Sequence, residues 1–293
     1  ASRAPFDSPL VEIMRGDVAS RADVERAMAG MTLAVNLAHG GGGTDWPEIK
    51  RTMVDSAVMV AECAQAAGVG RLVHVGSIAS LYLGPQPAPI TGATPPARHE
   101  AQRGDYARAK VLCDRMLLAR HARDGLPVVI LRPGVVVGEG SSPFHSGLGL
   151  FNSERHCIGW NAGRNPLPFV LVEDVAEAIL LACEAPGIEG KCYNLVGDVR
   201  PDARTYIARL ATALQRPLRF HPQSPTWLWL EDYGKWIIKR ATGRRIPPPA
   251  QRDFLSRGMR ASFDCVDAQR DLNWHPLRDA ATFWQRAVGV HAG

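Results

Sequence analysis

Cysteine pairs, long apolar runs and metal-ligand spacings are missing from this chain of 293 residues. Its six cysteines are dispersed, without a Cys-x-x-Cys pair, which argues against a zinc site or a disulfide framework and predicts a reducing, cytoplasmic compartment. No run approaches the roughly 20 apolar residues that a membrane span needs. The nine histidines show no ligand spacing, so we expect no metal. A Gly-x-Ser-x-Gly elbow is also missing, which disfavours a serine hydrolase.

The overall composition is that of a globular protein, since 46% of the residues are hydrophobic and 22% are charged. The net charge of +5 suits a protein that binds small molecules bearing phosphate as well as it suits one that binds nucleic acid. The net charge alone therefore does not distinguish these two functions.

Apolar runs alternate with helical stretches over the first two-thirds of the chain. We predict strands at residues 10–14, 33–38, 71–77 and 128–132. Helices are predicted at residues 21–30, with Ser20 as N-cap, at residues 47–67 and at residues 106–123. Because strands that alternate with helices of this length form βαβ units, the fold class is α/β, with a doubly wound parallel sheet.

Beyond about residue 140 the rhythm changes, and single elements stand between loops rich in Gly, Pro and Ser. Here we predict strands at residues 169–172 and 192–196, helices at residues 175–184 (Asp174 as N-cap) and 205–215, and an α-rich unit at residues 251–293. We therefore divide the chain into a domain at residues 1–140 and a smaller lobe at residues 141–293. We expect the lobe to interleave with the last strands and to close over the carboxyl ends of the sheet.

Tyr106 and Lys110 carry the strongest local signal for chemistry. Residues four apart on a helix share a face, and a lysine ammonium close to a phenol stabilises the phenolate. Such a pair can move a proton onto or off an alcohol. Ser77 ends an apolar strand that runs toward the same edge of the sheet, where a hydroxyl could orient a substrate oxygen.

The Ser77, Tyr106 and Lys110 set on a parallel sheet resembles the short-chain dehydrogenase/reductase superfamily, and the long C-terminal region is similar to its extended, NAD-dependent epimerase/dehydratase branch. Further segments match that family in order: Gly16-Asp17-Val18, Val35-Asn36-Leu37-Ala38, Leu131-Arg132-Pro133-Gly134 with Val137-Gly138, Val172-Glu173-Asp174-Val175-Ala176, and Asp271-Leu272-Asn273-Trp274-His275-Pro276, in which Asn273 replaces a glycine. The resemblance implies a Rossmann-like, NAD(P)-binding domain at residues 1–140 and a substrate-binding lobe after it.

The resemblance also implies a role for each site residue. Tyr106 would move the hydroxyl proton, Lys110 would hold the nicotinamide ribose, and Ser77 would orient the carbonyl, with Ser80 as the competing choice. The cofactor contacts would include Asp17 and Val18 near the adenine, Ala38 at a strand end and Pro133 beside the nicotinamide.

The family opens with a glycine-rich turn that holds the cofactor pyrophosphate, and no such motif precedes Leu10. We expect the opening unit, about 30 residues long, to be absent because the sequence is truncated; a real loss that weakens cofactor affinity is the alternative. In this register Arg3 stands where an acidic residue would bond the ribose of NAD. An arginine there can pair with a 2′-phosphate, so the cofactor prediction is NAD(P), leaning to NADP; a solvated loop arginine is the other reading.

The leading substrate prediction is a nucleotide-linked sugar. Eight Lys and Arg residues lie within residues 235–260, and Arg257 stands near the place where related epimerases bind a pyrophosphate. A solvated basic face is the alternative interpretation. Ile78 and Ala79 follow Ser77 where dehydratases of this branch carry an acidic pair, so a 4,6-dehydratase is disfavoured.

An aromatic, apolar stretch at residues 227–238 favours other possibilities. It could line the pocket of a dehydrogenase for an apolar alcohol of the hydroxysteroid or dihydroflavonol type, lie on a membrane surface, or form lobe core or a homodimer face. The intact Ser77, Tyr106 and Lys110 set counts against a non-catalytic NAD(P)-binding protein. We expect no nucleic-acid partner, because most of the chain builds a cofactor fold.

Overall fold

The computed structural model describes residues 8–38, 43, 45–81, 84, 89–243 and 246–292. The strands are β1 (Leu33–Asn36), β2 (Arg71–Val75), β3 (Val128–Pro133), β4 (Val135–Val137), β5 (Gly149–Asn152), β6 (His156–Trp160), β7 (Phe169–Leu171), β8 (Cys192–Leu195) and β9 (Arg219–Gln223). The α-helices are α1 (Arg21–Met28), α2 (Trp46–Ile49), α3 (Ser56–Ala66), α4 (Asp105–Asp124), α5 (Val172–Glu184), α6 (Ala203–Ala213), α7 (Pro225–Ala241), α8 (Gln251–Arg257), α9 (Val266–Leu272) and α10 (Ala280–Ala287). A π-helix joins α2 to α3 (Lys50–Asp55), and 3₁₀ turns lie at Ile78–Ser80, Glu100–Gln102 and Gly289–His291.

A parallel sheet of four strands, in the order β1-β2-β3-β8, forms the centre of the fold. Successive residues of a strand face opposite sides, so Val73 and Leu131 pack against α5 and α9 while Leu72 and Ile130 pack against α3 and α4. Strands buried on both faces need near-continuous apolar runs, which β3 has. Helices on both faces confirm the predicted doubly wound α/β fold.

The later part of the chain contributes both to this sheet and to smaller ones. β8 pairs with β3 and so completes the central sheet. β4 pairs with β7 in parallel, and β6 pairs with β5 antiparallel and with β9 in parallel. α8 lies beside the carboxyl ends of β2 and β3, since residues of all three elements or their ends line one cavity. The division at residue 140 stays a prediction.

Residues 10–14, predicted as a strand, form none. A strand needs a hydrogen-bonded neighbour, and in the described part of the chain these residues have no partner strand. Leu10 is 93% exposed. β1 is the edge of the four-stranded sheet, with Leu33 and Val35 more than 40% exposed.

Two helix predictions also differ in detail from the structure. The helix predicted at residues 47–67 begins at Trp46, where Asp45 caps it by accepting from the Glu48 amide, and it passes through the π-helix before α3. Asp174 is not an N-cap, because α5 begins at Val172. Its carboxylate instead accepts from the backbone amide of Leu277, 3.3 Å away, across the domain.

Among the helices that the structure describes, none combines the length and the hydropathy needed to cross a bilayer.

Candidate functional site

A cavity of about 880 Å³ lies at the carboxyl ends of β2 and β3. Parallel sheets bind their ligands at this edge, because helix N-termini and loops converge there. The cavity is lined by Ser77 after β2, Pro133 at the end of β3, Tyr106 and Lys110 on α4, and Arg257 on α8. The structure thus brings together five of the residues that the sequence singled out.

Tyr106 and Lys110 sit on the first turns of α4, which begins at Asp105 after Gly104. Their spacing places them on one face, and the Lys110 ammonium nitrogen lies 5.8 Å from the centroid of the Tyr106 ring. Lys110 is 3% exposed, whereas Tyr106 is 52% exposed. The phenol therefore reaches into the cavity while a buried positive charge lies behind it.

Ser77 and Ser80 occupy different environments. The Ser77 hydroxyl accepts from the Ala79 amide at 3.1 Å and caps the 3₁₀ turn, an arrangement in which its proton can be donated to an oxygen in the cavity. Ser80 is fully buried, and its hydroxyl donates to the Ser77 carbonyl at 3.0 Å. Ser77 lines the cavity and Ser80 does not.

A buried polar layer lies behind Lys110. His74 is completely buried, and burial, with a smaller effect of the Lys110 charge, lowers its pKa to about 3. The imidazole is therefore neutral at physiological pH. The Nδ1 of His74 lies 3.4 Å from the side-chain amide nitrogen of Asn36. The side-chain oxygen of Asn36 accepts from the backbone amide of Ala38, just after the end of β1.

A buried ion pair joins α4 to β3. The Arg132 Nε donates to the Asp114 carboxylate at 2.8 Å, and Arg132 also donates to the carbonyls of Gly92 and Thr94 in the loop that precedes α4. A Cβ at position 76 would lie 3.2 Å from an oxygen of Asp114, so Gly76 allows this close approach. The pair holds the helix of Tyr106, the strand of Pro133 and the connecting loop together.

The cavity is also lined by Arg103, Asp253 and His145, which sequence reasoning missed. Asp253 accepts from the Nε of the buried Arg103 at 3.3 Å and from a guanidinium nitrogen of Arg257 at 3.2 Å. The Arg257 guanidinium lies 5.4 Å from the ring centroid of Trp160. His145 also lines the cavity, and burial followed by the Arg257 charge lowers its pKa. No spacing in the sequence connects Arg103 with Asp253, since only the tertiary fold brings them together.

The residues at the strand ends fit the nicotinamide end of a dinucleotide. Lys110 and Tyr106 face the cavity, and Gly76, Pro133 and Gly134 at the strand ends line it as well. At the end of β1, Leu37 lines the cavity and Ala38 does not.

The residues expected nearer the adenine are placed differently. Asp17 is exposed and accepts from the Ala19 amide, and Val18 packs beside α1 and α3. Neither of them lines the cavity. Arg3 lies outside the described residues.

No group of three or more His, Cys, Asp or Glu side chains that could hold a metal ion occurs among the described residues.

Comparison with known proteins identifies relatives of the whole fold. The chain is 24% identical over 279 residues to the uncharacterized protein y4nG of Sinorhizobium fredii, which covers 92% of this chain and 66% of that protein, slightly under two thirds of its length. It is 24% identical over 293 residues to the decarboxylating sterol-4-alpha-carboxylate 3-dehydrogenase of Bos taurus, covering 94% of this chain and 80% of the enzyme.

A solved structure has the same fold. The dTDP-glucose 4,6-dehydratase DesIV of Streptomyces venezuelae, with NAD and TYD bound, superposes with a TM-score of 0.70 at 21% identity, over 96% of this chain and 79% of that one. Residues 1–195 match the family model of NAD dependent epimerases and dehydratases. That match covers more than half of the chain and contains Ser77, Tyr106 and Lys110. The chain therefore belongs to the NAD dependent epimerase/dehydratase family.

Proposed function

We propose that this protein is an NAD(P)-dependent oxidoreductase that interconverts a secondary alcohol and a ketone on an apolar substrate. The observation that carries the proposal is the cavity at the strand ends, where an exposed phenol, a buried ammonium and a serine hydroxyl face one space. The sterol dehydrogenase relative supports the substrate class.

In this proposal each residue has a separate task. Tyr106, as the phenolate, removes the proton of the substrate hydroxyl. The positive charge of the Lys110 ammonium, 5.8 Å from the centroid of the Tyr106 ring, stabilises that phenolate. Ser77 donates to the substrate oxygen and holds it close to the phenol. Lys110, Gly76 and Pro133 would hold the nicotinamide end of NAD(P), which supplies the hydride acceptor or donor when it is bound.

The charges on the lobe side favour an apolar substrate over a nucleotide diphosphate. Asp253 is shared by Arg103 and Arg257, so one carboxylate already offsets much of the positive charge that a diphosphate would need. The charge that Arg257 presents to a diphosphate is therefore reduced by its neighbour Asp253. An apolar alcohol does not depend on that charge.

A nucleotide-linked sugar remains the second candidate. Arg257 lines the cavity, and the DesIV structure with NAD and TYD shows that this fold can hold such a ligand in a related protein. Ile78 and Ala79 occupy the positions of the acidic pair of 4,6-dehydratases, so within this candidate we favour an epimerase or a simple oxidoreductase.

A substrate and cofactor panel tests the proposal. We would follow absorbance at the reduced-nicotinamide band while presenting hydroxysteroids, other apolar secondary alcohols and nucleotide sugars, each with NAD and with NADP. Turnover of apolar alcohols supports the proposal, and turnover of nucleotide sugars alone contradicts it. The preference for NADP, which rests on Arg3, is tested by the ratio of kcat/KM for the two cofactors.

A variant of Arg257 distinguishes an apolar substrate from a nucleotide sugar. For an apolar substrate, Arg257→Ala should change kcat/KM by less than about threefold, whereas for a nucleotide sugar it should cost about tenfold or more, mainly in KM. Arg278→Ala is the matched control, because Arg278 is exposed and pairs with Asp198 away from the cavity.

A further inference from the structure

α7 uses one side of its surface to pack on the protein. Leu228 is buried, the indole of Trp229 donates to the Pro249 carbonyl at 3.1 Å, and the indole of Trp236 donates to the Ile246 carbonyl at 2.9 Å. Tyr233 lies between these two indoles, with ring centroids 5.5 and 5.1 Å apart. These contacts fix which face of the helix points outward.

The outward face is apolar. Trp227, Leu230, Ile237 and Ile238 are 59, 46, 51 and 67% exposed. At the ordinary helical rotation these four side chains fall within a sector about 100° wide, the width of a helix face that is normally buried. We call these four residues the apolar stripe.

Positive charge borders the stripe. Lys235, Lys239 and Arg240 are exposed on α7, and so are the acids Glu231 and Asp232, so the helix carries one more positive than negative charge. Glu231 pairs with Lys235 at 2.7 Å. An amphipathic helix with Trp and large aliphatic residues on one side and basic residues beside them is typical of helices that lie in a membrane interface.

We propose that α7 docks this protein on the surface of a bilayer that contains anionic phospholipid. The apolar stripe enters the boundary between headgroups and acyl chains, and the basic border faces the phosphates. The other occupant that such a face could have is a second copy of this chain, and the experiment below distinguishes the two.

Docking through α7 would bring the cavity close to the membrane. α7 packs against α8, and α8 carries Asp253, Ser256 and Arg257 of the cavity lining. An apolar alcohol could then pass from the bilayer to the site. This last step rests on the proposed function, whereas the docking itself does not.

Vesicle flotation without cofactor or substrate tests the docking separately from catalysis. Vesicles of phosphatidylcholine and of phosphatidylcholine with phosphatidylglycerol are mixed with the full chain and with the double variant Ile237→Ser/Ile238→Ser. Leu180→Ser is the matched control, because Leu180 on α5 is 67% exposed, the same as Ile238. Thermal melts check that the wild type and every variant are folded.

We expect the wild type to float with the anionic vesicles, and less strongly as salt is added. The double variant should bind at least about tenfold more weakly, and Leu180→Ser within about twofold of the wild type. Lys239→Glu should weaken binding to the anionic vesicles and leave binding to neutral vesicles unchanged.

Any of three outcomes would overturn the proposal. The first is that the wild type fails to float with anionic vesicles, and the second is that the double variant binds them as well as the wild type does. The third is that the wild type is a dimer in solution and the double variant is a monomer. The last result would make the stripe a contact between two copies.

Discussion

The guanidinium of Arg132 lies 2.8 Å from the carboxylate of Asp114, and the two side chains are 1% and 0% exposed. Asp114 stands one turn after Lys110 on α4, and Arg132 directly precedes Pro133 on β3. A buried ion pair fixes the positions of the elements that carry it, because removing either partner leaves the other charge buried without a counter-ion, which destabilises the fold. Here it connects the helix that carries Tyr106 to the strand end that lines the cavity.

Asp114→Asn should destabilise the protein by about 3–5 kcal/mol, since it keeps the shape of the side chain and leaves the Arg132 charge buried without its counter-ion. Urea unfolding monitored by circular dichroism measures the change. The double variant Asp114→Asn/Arg132→Met should lose less than the sum of the two single variants. A single-variant effect below about 0.5 kcal/mol would contradict this role.

Tyr106→Phe should lower kcat by about a thousandfold, because it removes the hydroxyl that exchanges a proton with the substrate. The affinity for NAD(P), measured by fluorescence titration, should change by less than about twofold. Tyr233→Phe on α7 is the matched control and should leave kcat unchanged. Normal turnover by Tyr106→Phe would show that another group moves the proton.

Gly134→Ala should destabilise the protein by about 1–3 kcal/mol. A Cβ at this position would lie 2.0 Å from the carbonyl oxygen of Pro168, so the backbone must move. Gly234→Ala in α7 provides a control of opposite sign, since a Cβ there meets open space and alanine favours a helix by about 0.5–1 kcal/mol. Chemical denaturation measures the free energy of unfolding of both variants. Equal changes in that free energy would contradict the steric explanation.

The Asp271 carboxylate should make stability depend on acid pH. Hydrogen bonds from Arg270, Lys191 and Tyr193 hold the pKa of Asp271 well below its usual range. A lowered folded-state pKa stabilises the native protein above the unfolded value, about 3.9, and this contribution is lost as the pH falls toward the folded value.

Asp271→Asn should therefore lower stability at pH 7 by about 1–2 kcal/mol. The difference from the wild type should shrink as the pH falls from about 5 to about 2. Urea unfolding at a series of pH values measures the difference. Asp198→Asn is the control and should have a small effect, because its partner Arg278 is 70% exposed. A difference that does not change with pH would mean that the Asp271 charge contributes nothing.

Features that involve only near neighbours along the chain could be predicted from local patterns. The alternation of apolar and helical segments predicted the parallel sheet, because a strand buried on both faces needs an apolar run such as β3. The Tyr106 and Lys110 spacing predicted a shared helix face, and Ser20 predicted the start of α1, because caps and helix faces involve residues only a few positions apart.

Features that join distant residues depend on how the elements pack. Residues 10–14 have the composition of a strand, yet a strand forms only where a neighbour supplies hydrogen bonds. Asp174 resembles an N-cap, but its carboxylate is used by Leu277 across the fold. Asp253 meets Arg103 although 150 residues separate them. Side-chain partners at such distances depend on how the elements pack, and no local pattern encodes that packing.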